Sequence, residues 1–254
     1  MSEAESAGRP PGLPEIDINE YGGKKDGARQ VMDRRLFMQL LVYDCPASVD
    51  PEEPTQALIE GVDAAGIGAV VYEDMNAPHG LGLLTWSEDP ADFVTKVRPI
   101  FRGKGLRGLA PRTDFTMIGR SYSSGYERDL EHYLLRRSVE NVTNPEWPWA
   151  VWYPLRRSGA FAQLAREEQA NILREHASIG MAYGAQELAH DVRLACHGLD
   201  ARDNEFLIGL VGNNLHRLSH VVERMRGTKQ TSEYIVQMGP FFVGHARHQT
   251  TGRA

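Results

Sequence analysis

The same order of strands and helices is written twice along this chain, and no other feature of the sequence narrows its fold as much. Arg34-Arg-Leu-Phe-Met-Gln-Leu-Leu-Val-Tyr43 is an apolar and aromatic run of strand length. Pro51-Glu-Glu-Pro54 opens a helix on which Leu58, Ile59 and Val62 share a face. Gly68–Tyr72 and Leu81–Trp86 read as strands, parted by the turn-forming Asn76-Ala-Pro-His-Gly80. Ser87-Glu-Asp-Pro90 starts a second helix striped by Phe93, Val97 and Ile100, and Asp114–Gly119 closes the set as a strand. Strand, helix, strand, strand, helix, strand is a split βαβ, or ferredoxin-like, half-domain.

The second half repeats the order. Trp149-Ala-Val-Trp-Tyr153 is a strand, residues 165–184 a helix, and Val192–His197 and Glu205–Val211 two more strands. A helix carrying Leu215, Leu218, Val222 and Met225 follows, and Ser232–Val236 is the closing strand. Trp86 falls on Val211, Asp89 on Asn214, Phe93 on Leu218, Val97 on Val222 and Ile100 on Met225, each pair 125 positions apart. Two such sheets, each with helices on one face, bury their open faces against each other in an α+β, barrel-like body. The expected boundaries are an extended, flexible arm over 1–33, half-domains over 34–123 and 149–246, and a linker over 124–148 that ends in the rigid Asn144-Pro-Glu-Trp-Pro148. Exposed strand edges and helix faces on such a body point to a homo-oligomer.

Composition matters mainly for what it excludes. A net charge of −6 leaves no basic footprint for nucleic acid and suits a handler of small molecules. No apolar run is long enough to span a membrane. The acidic start, Met1-Ser-Glu-Ala-Glu-Ser6, lacks the basic and apolar pattern of a secretory signal, so a cytoplasmic protein is expected. Two cysteines, Cys45 and Cys196, form neither a disulfide framework nor a Cys-x-x-Cys pair and read as packed thiols.

Of nine histidines, His176 has the most informative setting. It lies four residues after Ile172 and three before Ile179, on the apolar stripe of its helix. Ala177, Ser178 and Gly180 beside it would let a flat group approach. Periodicity alone fits two roles: a core histidine satisfied by one hydrogen bond, or a neutral imidazole offered to a metal.

Trp149-Ala-Val-Trp-Tyr-Pro-Leu-Arg-Arg157, followed by the Glu-Glu-containing helix through Arg174-Glu-His176, resembles the chlorite dismutase and coproheme decarboxylase family. So do His197-Gly-Leu-Asp200, Asp203-Asn-Glu-Phe206 and Gly239-Pro-Phe-Phe-Val-Gly244. The likeness spans most of residues 34–246 and is densest after 145. It implies a dimeric α+β barrel of two ferredoxin-like halves in one chain, a ring-forming homo-oligomer (a pentamer foremost), and a haem whose iron is bound by His176. Arg193, thirteen positions before Phe206, matches the distal arginine of chlorite dismutases, where a guanidinium attracts a small anion. Coproheme decarboxylases carry an uncharged residue there. Tyr153 argues the other way, since Tyr-Pro-Leu-Arg-Arg resembles the decarboxylase segment whose tyrosine forms the radical that attacks a propionate. By itself, a tyrosine on a core strand is a packing residue with its hydroxyl tied down. Arg157, and Arg156 beside it, are either propionate partners or strand-end charges in solvent.

Two departures bear on turnover. Gln230, fourteen before Gly244, stands where the family places the glutamate that accepts from the proximal histidine, and Phe161 where efficient chlorite dismutases have tryptophan. Both speak against fast chlorite chemistry, not against haem. His132 falls in a stretch that does not align and is left out of the site. The expected function is conversion of chlorite to chloride and dioxygen at a His-ligated haem b. An H2O2-dependent coproheme decarboxylase, with coproheme as both substrate and cofactor, comes second, and a non-catalytic haem binder third. The substrate is a small anion or a peroxide.

Overall fold

In the computed structural model, which describes residues 13–252, the two repeated sets of elements form the two halves of one closed barrel. A hairpin of β1 (Glu20–Lys25) and β2 (Ala28–Met32) comes first. The first set is β3 (Phe37–Asp44), α1 (Glu52–Ala65), β4 (Gly68–Asp74), β5 (Gly80–Ser87), a wide helical turn Phe93–Val97 running into α2 (Arg98–Ile100), the two-residue β6 (Ala110–Pro111) and β7 (Met117–Ser121). A second wide turn, His132–Arg136, leads into α3 (Arg137–Thr143). The second set is β8 (Trp149–Arg157), α4 (Gly159–Gln163), α5 (Arg166–Ala185), β9 (His190–Ala195), β10 (Phe206–Gly212), α6 (Leu215–Arg226), β11 (Ile235–Met238) and β12 (Phe242–Thr250).

Strand pairing is antiparallel throughout, and each half has the same order: β7-β3-β5-β4 in the first, β12-β8-β10-β9 in the second. The halves meet at two seams. β4 pairs with β12 over six register partners, from Ala69↔Thr250 to Asp74↔Gly244, whereas β7 pairs with β9 over two, Arg120↔Ala195 and Ser121↔Leu194. Closure leaves the eight barrel strands no free edge, so the exposed edges are those of the β1–β2 hairpin and of β11.

Alternation along the strands sorts the core. Met38, Leu40 and Val42 of β3 point inward and meet Val70, Tyr72, Leu84, Trp152, Val192, Leu194 and Phe242 inside the barrel. Phe37 and Leu41 point outward, under α1 and α2, where Leu58, Val62, Phe93, Val97 and Ile100 cover them. The outer face of the second half lies under α5 and α6 and holds Val151, Tyr153, Leu155, Leu210, Leu218 and Val221. Gly209 lies opposite Trp152 in register, and a Cβ there would come within 2.5 Å of the indole, so only glycine admits that ring to the interior.

Three expectations change. The arm falls partly on residues 1–12, outside the described residues, but 20–32 form a hairpin rather than an extended arm. Asp26 and Gly27, at φ 53° and 83°, supply its two-residue turn, an Asp-Gly signal outweighed in the sequence by Gly, Pro and charge. The hairpin is tied down: Gly23 N–H donates to the Glu127 carbonyl at 2.9 Å and Ser123 Oγ to Glu20 at 2.8 Å. The 124–148 stretch is more than a linker, because Leu130, Leu134, Leu135 and Val142 join the barrel's interior cluster. The closing strand at 232–236 is replaced by the turn Gln230–Tyr234, β11 and β12, and β12 takes the closing position because Phe242 fills the interior beside Tyr72, ring centroids 6.0 Å apart. Among the described residues no helix is long and apolar enough to cross a membrane.

Candidate active site

On the outer face of the second half, three adjacent strands put Tyr153, Ile208 and Arg193 in one cross-strand row. Val192 and Leu194 are fully buried inside, so the period of two turns both Asp191 and Arg193 outward. Tyr153 is 5% exposed and stacks on Phe241, centroids 4.6 Å apart at 24°, and burial lifts its phenol above the ordinary range.

α5 covers this face loosely. Glu167 and Glu168 in its first turn complement the helix dipole, but of its twenty residues only Ile172 is buried. His176, Ile179, Gly180 and Tyr183 are half-buried on the inner side, while Ala177 and Ser178 face solvent and so do not flank a flat group as their spacing suggested. A twenty-residue helix that buries one side chain packs lightly over the sheet, its inner side only half-buried.

His176 is fixed from behind. The Thr228 hydroxyl donates to the Met225 carbonyl at 2.8 Å, so its oxygen is left to accept, and His176 Nδ1–H donates to it at 3.3 Å. That choice of tautomer leaves the lone pair on Nε2. Burial, and after it the positive charge of Arg193, hold the imidazole below its ordinary pKa, so it is neutral near pH 7. The partner is therefore Thr228 and not Gln230. Gln230 is buried close by in the chain, with its Oε1 unpartnered.

Arg193 is held from two sides. Its Nε lies 2.8 Å from Oδ2 of Asp191 and its Nη2 donates to the Tyr133 hydroxyl at 2.5 Å. The Nε–H is not aimed at the carboxylate and has no acceptor among the described residues. Burial works against the guanidinium's charge, yet Asp191 and the tyrosines Tyr133 and Tyr122 outweigh it and raise its pKa further. Tyr122 is itself pushed up to about 12 by burial, so both phenols stay protonated.

The remaining sequence candidates lie elsewhere along the chain. Arg157 is spent on Glu205, donating from Nη2 at 2.6 Å and from Nε at 3.1 Å, which removes it as a free propionate partner. Its guanidinium lies 4.5 Å from the Phe161 ring and 4.7 Å from that of Phe206, so Phe161 packs on this ion pair. Arg156 donates to Gln237 at 3.0 Å. His132 is half-buried and pairs with Glu140 at 2.7 Å. Sequence reasoning missed Thr228, Tyr133, Arg137 and Asp191. Asp191 alone had a readable signal, two positions before Arg193 on a strand.

A porphyrin fits this set of residues: a neutral imidazole with Nε2 free, a helix that buries a single side chain, and two orphaned polar atoms, Gln230 Oε1 and Arg193 Nε. The class defined by fold and site is an α+β barrel with one lightly covered, arginine-bearing face. The chlorite dismutase family model matches residues 82–247, more than half the chain, and the chain belongs to that family. No curated protein matches the sequence. Among solved structures, a candidate chlorite dismutase is similar at TM-score 0.68 and 15% identity, covering 85% of this chain and 96% of that one. A haem-binding protein from Thermus thermophilus is similar at 0.65 and 19%, covering 84% and 91%. A doubly substituted chlorite dismutase from Candidatus Nitrospira defluvii is similar at 0.66 and 14%, covering 84% and 92%. At these identities the likeness establishes the fold.

Proposed function

We propose that the chain is a haem-dependent oxidoreductase of chlorite dismutase type, with His176 as the iron's protein ligand and Arg193 as the guide for a small anion. The observation that carries this reading is the committed Nδ1–H of His176 on the inner side of a loosely seated helix. A fixed, neutral imidazole with its Nε2 lone pair free is what a ferric porphyrin takes from a protein. When bound, haem b would supply the centre at which chlorite is split and its fragments leave as chloride and dioxygen. The protein's share is attraction and orientation. Arg193 draws the anion, and its unpartnered Nε–H, whose burial costs about 1–3 kcal/mol, gains an acceptor from it. Thr228 keeps the imidazole in one orientation.

A second reading, an H2O2-dependent coproheme decarboxylase with coproheme as substrate and cofactor, rests on Tyr153, a buried phenol in the same cross-strand row as Arg193. Arg193 itself weighs against it, because a charged residue there suits an anionic substrate. Leu173 and Met181, 40% and 66% exposed on α5, suit contacts between copies in a cytoplasmic homo-oligomer, a pentamer by family resemblance.

The test is to identify the porphyrin that copurifies by mass spectrometry, then add chlorite and peroxide separately to the loaded protein. His176→Ala should abolish the Soret shift on adding ferric haem. Arg193→Gln should lower kcat/KM for oxygen release from chlorite by about ten- to a hundredfold. Absence of oxygen from the loaded wild type, with coproheme consumed on adding peroxide, selects the decarboxylase; haem bound with neither turnover selects the non-catalytic reading.

A further inference from the structure

Asp191 sits between two guanidinium groups. Its Oδ1 accepts from Nη2 of Arg137 at 2.5 Å while its Oδ2 lies 2.8 Å from Nε of Arg193. Its backbone carbonyl accepts from Arg137 Nη1 at 3.2 Å and from Asn141 Nδ2 at 3.0 Å, so α3 clamps this point of β9 through main chain and side chain together. Side chains of Arg137, Asp191 and Arg193 keep 30%, 33% and 39% of their surface accessible, so the cluster is within reach of a small solute instead of being sealed in the core.

One carboxylate against two guanidiniums leaves one positive charge uncompensated. Other charged groups close by are matched or solvated: Arg157 is matched by Glu205, and Glu187 lies 3.0 Å from His190 with 72% of its side chain in solvent. Tyr122 and Tyr133 are held protonated by burial. A half-buried cluster of charge plus one is neutralised by a monoanion, whereas a dianion would leave excess negative charge in a poorly solvated place.

We propose that Asp191 is a specificity-determining residue: by cancelling one of two arginine charges, it sets the cluster to take a small monoanion and to disfavour a dianion. The inference rests on reading Arg193 as an anion guide and deepens it, because it concerns which anions bind there. Asp191→Asn keeps the side chain's shape and raises the cluster to plus two. Arg137→Gln lowers it to zero while leaving Arg193 in place. One unit charge a few ångströms from the anion is worth about tenfold or more in affinity at the effective dielectric of such a site.

The experiment is calorimetric titration of the full-length apoprotein with sodium nitrate and with sodium sulfate at constant ionic strength, alongside azide titration of the ferric haem-loaded protein followed at the Soret band. Wild type should bind nitrate more tightly than sulfate. Asp191→Asn should reverse that order, with sulfate gaining about tenfold or more, and Arg137→Gln should weaken both nitrate and azide by a similar factor. Arg137→Lys, which keeps the charge, should retain nitrate binding and stands in if Asp191→Asn does not fold. A wild-type anion order in Asp191→Asn, undiminished affinity in Arg137→Gln, or a wild type that binds neither anion overturns the proposal. Failure to take up haem would sink the functional reading, yet the nitrate and sulfate order would still decide the role of Asp191.

Discussion

Replacing Thr228 with valine removes one oxygen from behind His176 and changes almost nothing else, because the two side chains have nearly the same shape. Thr228 is 1% exposed, so no water reaches in to replace that oxygen. The change leaves the His176 Nδ1–H without its acceptor at 3.3 Å and the Thr231 N–H without its acceptor at 3.4 Å, while the Met225 carbonyl keeps the Thr228 N–H at 3.1 Å. Two half-buried groups left unpaired cost about 1–3 kcal/mol. For a chain of this size that lowers Tm by roughly 2–4 °C per kcal/mol. The imidazole, no longer held in one orientation, should bind ferric haem about 10–100-fold more weakly, the usual cost of losing a metal ligand's supporting hydrogen bond. The assay is a Soret titration with ferric haem alongside thermal melts of the apoprotein, with Thr228→Ser as the control that restores the oxygen. If Thr228→Val binds haem with wild-type affinity and spectrum while its Tm falls, the hydrogen bond orients nothing and the reasoning from Thr228 to the ligand fails.

Acid should weaken the strap at the end of β8. Burial opposes the charge on Glu205 but Arg157 outweighs it, so the folded carboxyl titrates below its ordinary 4.5. The pair therefore adds stability above that pH and loses it as pH falls through the lower, folded value, and Glu205→Gln should flatten the fall of Tm in that window; an unchanged slope would refute the assignment. Gly209→Ala should force a methyl against the Trp152 indole, where a Cβ would stand at 2.5 Å. Overpacking of this kind costs about 1–3 kcal/mol, and adding Trp152→Phe should recover part of it; a Tm equal to wild type would show that the ring has room.

Alternation along β3 and β8 and the three-and-four stripe of α5 were legible in the sequence because they are local. The helix expected at 165–184 spans Arg166–Ala185, and the duplicated element order survives as the repeated strand order of the two halves. The seams were not legible: which strand of one half meets which strand of the other depends on contacts distant in sequence. Thr228 acts through one oxygen placed by the end of α6, and no periodicity marks it. Tyr133 and Arg137 lay in a stretch that read as a connection because its turn residues and charges outweighed four apolar positions, Leu130, Leu134, Leu135 and Val142. The Asp26-Gly27 turn was in view and was masked by the composition around it.

The unequal seams give the barrel an order of opening. With six register partners on one side and two on the other, thermal fluctuations should part β7 from β9 long before β4 leaves β12. Amides of β9 near Ala195 should then lose protection from hydrogen exchange while those of β4 retain it. β9 is also the strand that carries Asp191 and Arg193, so the least stable junction of the wall lies next to its charged residues. The clamp from α3 onto the Asp191 carbonyl grips β9 three residues before that seam, so the anion-guiding part of the strand should stay anchored when β7 parts from it.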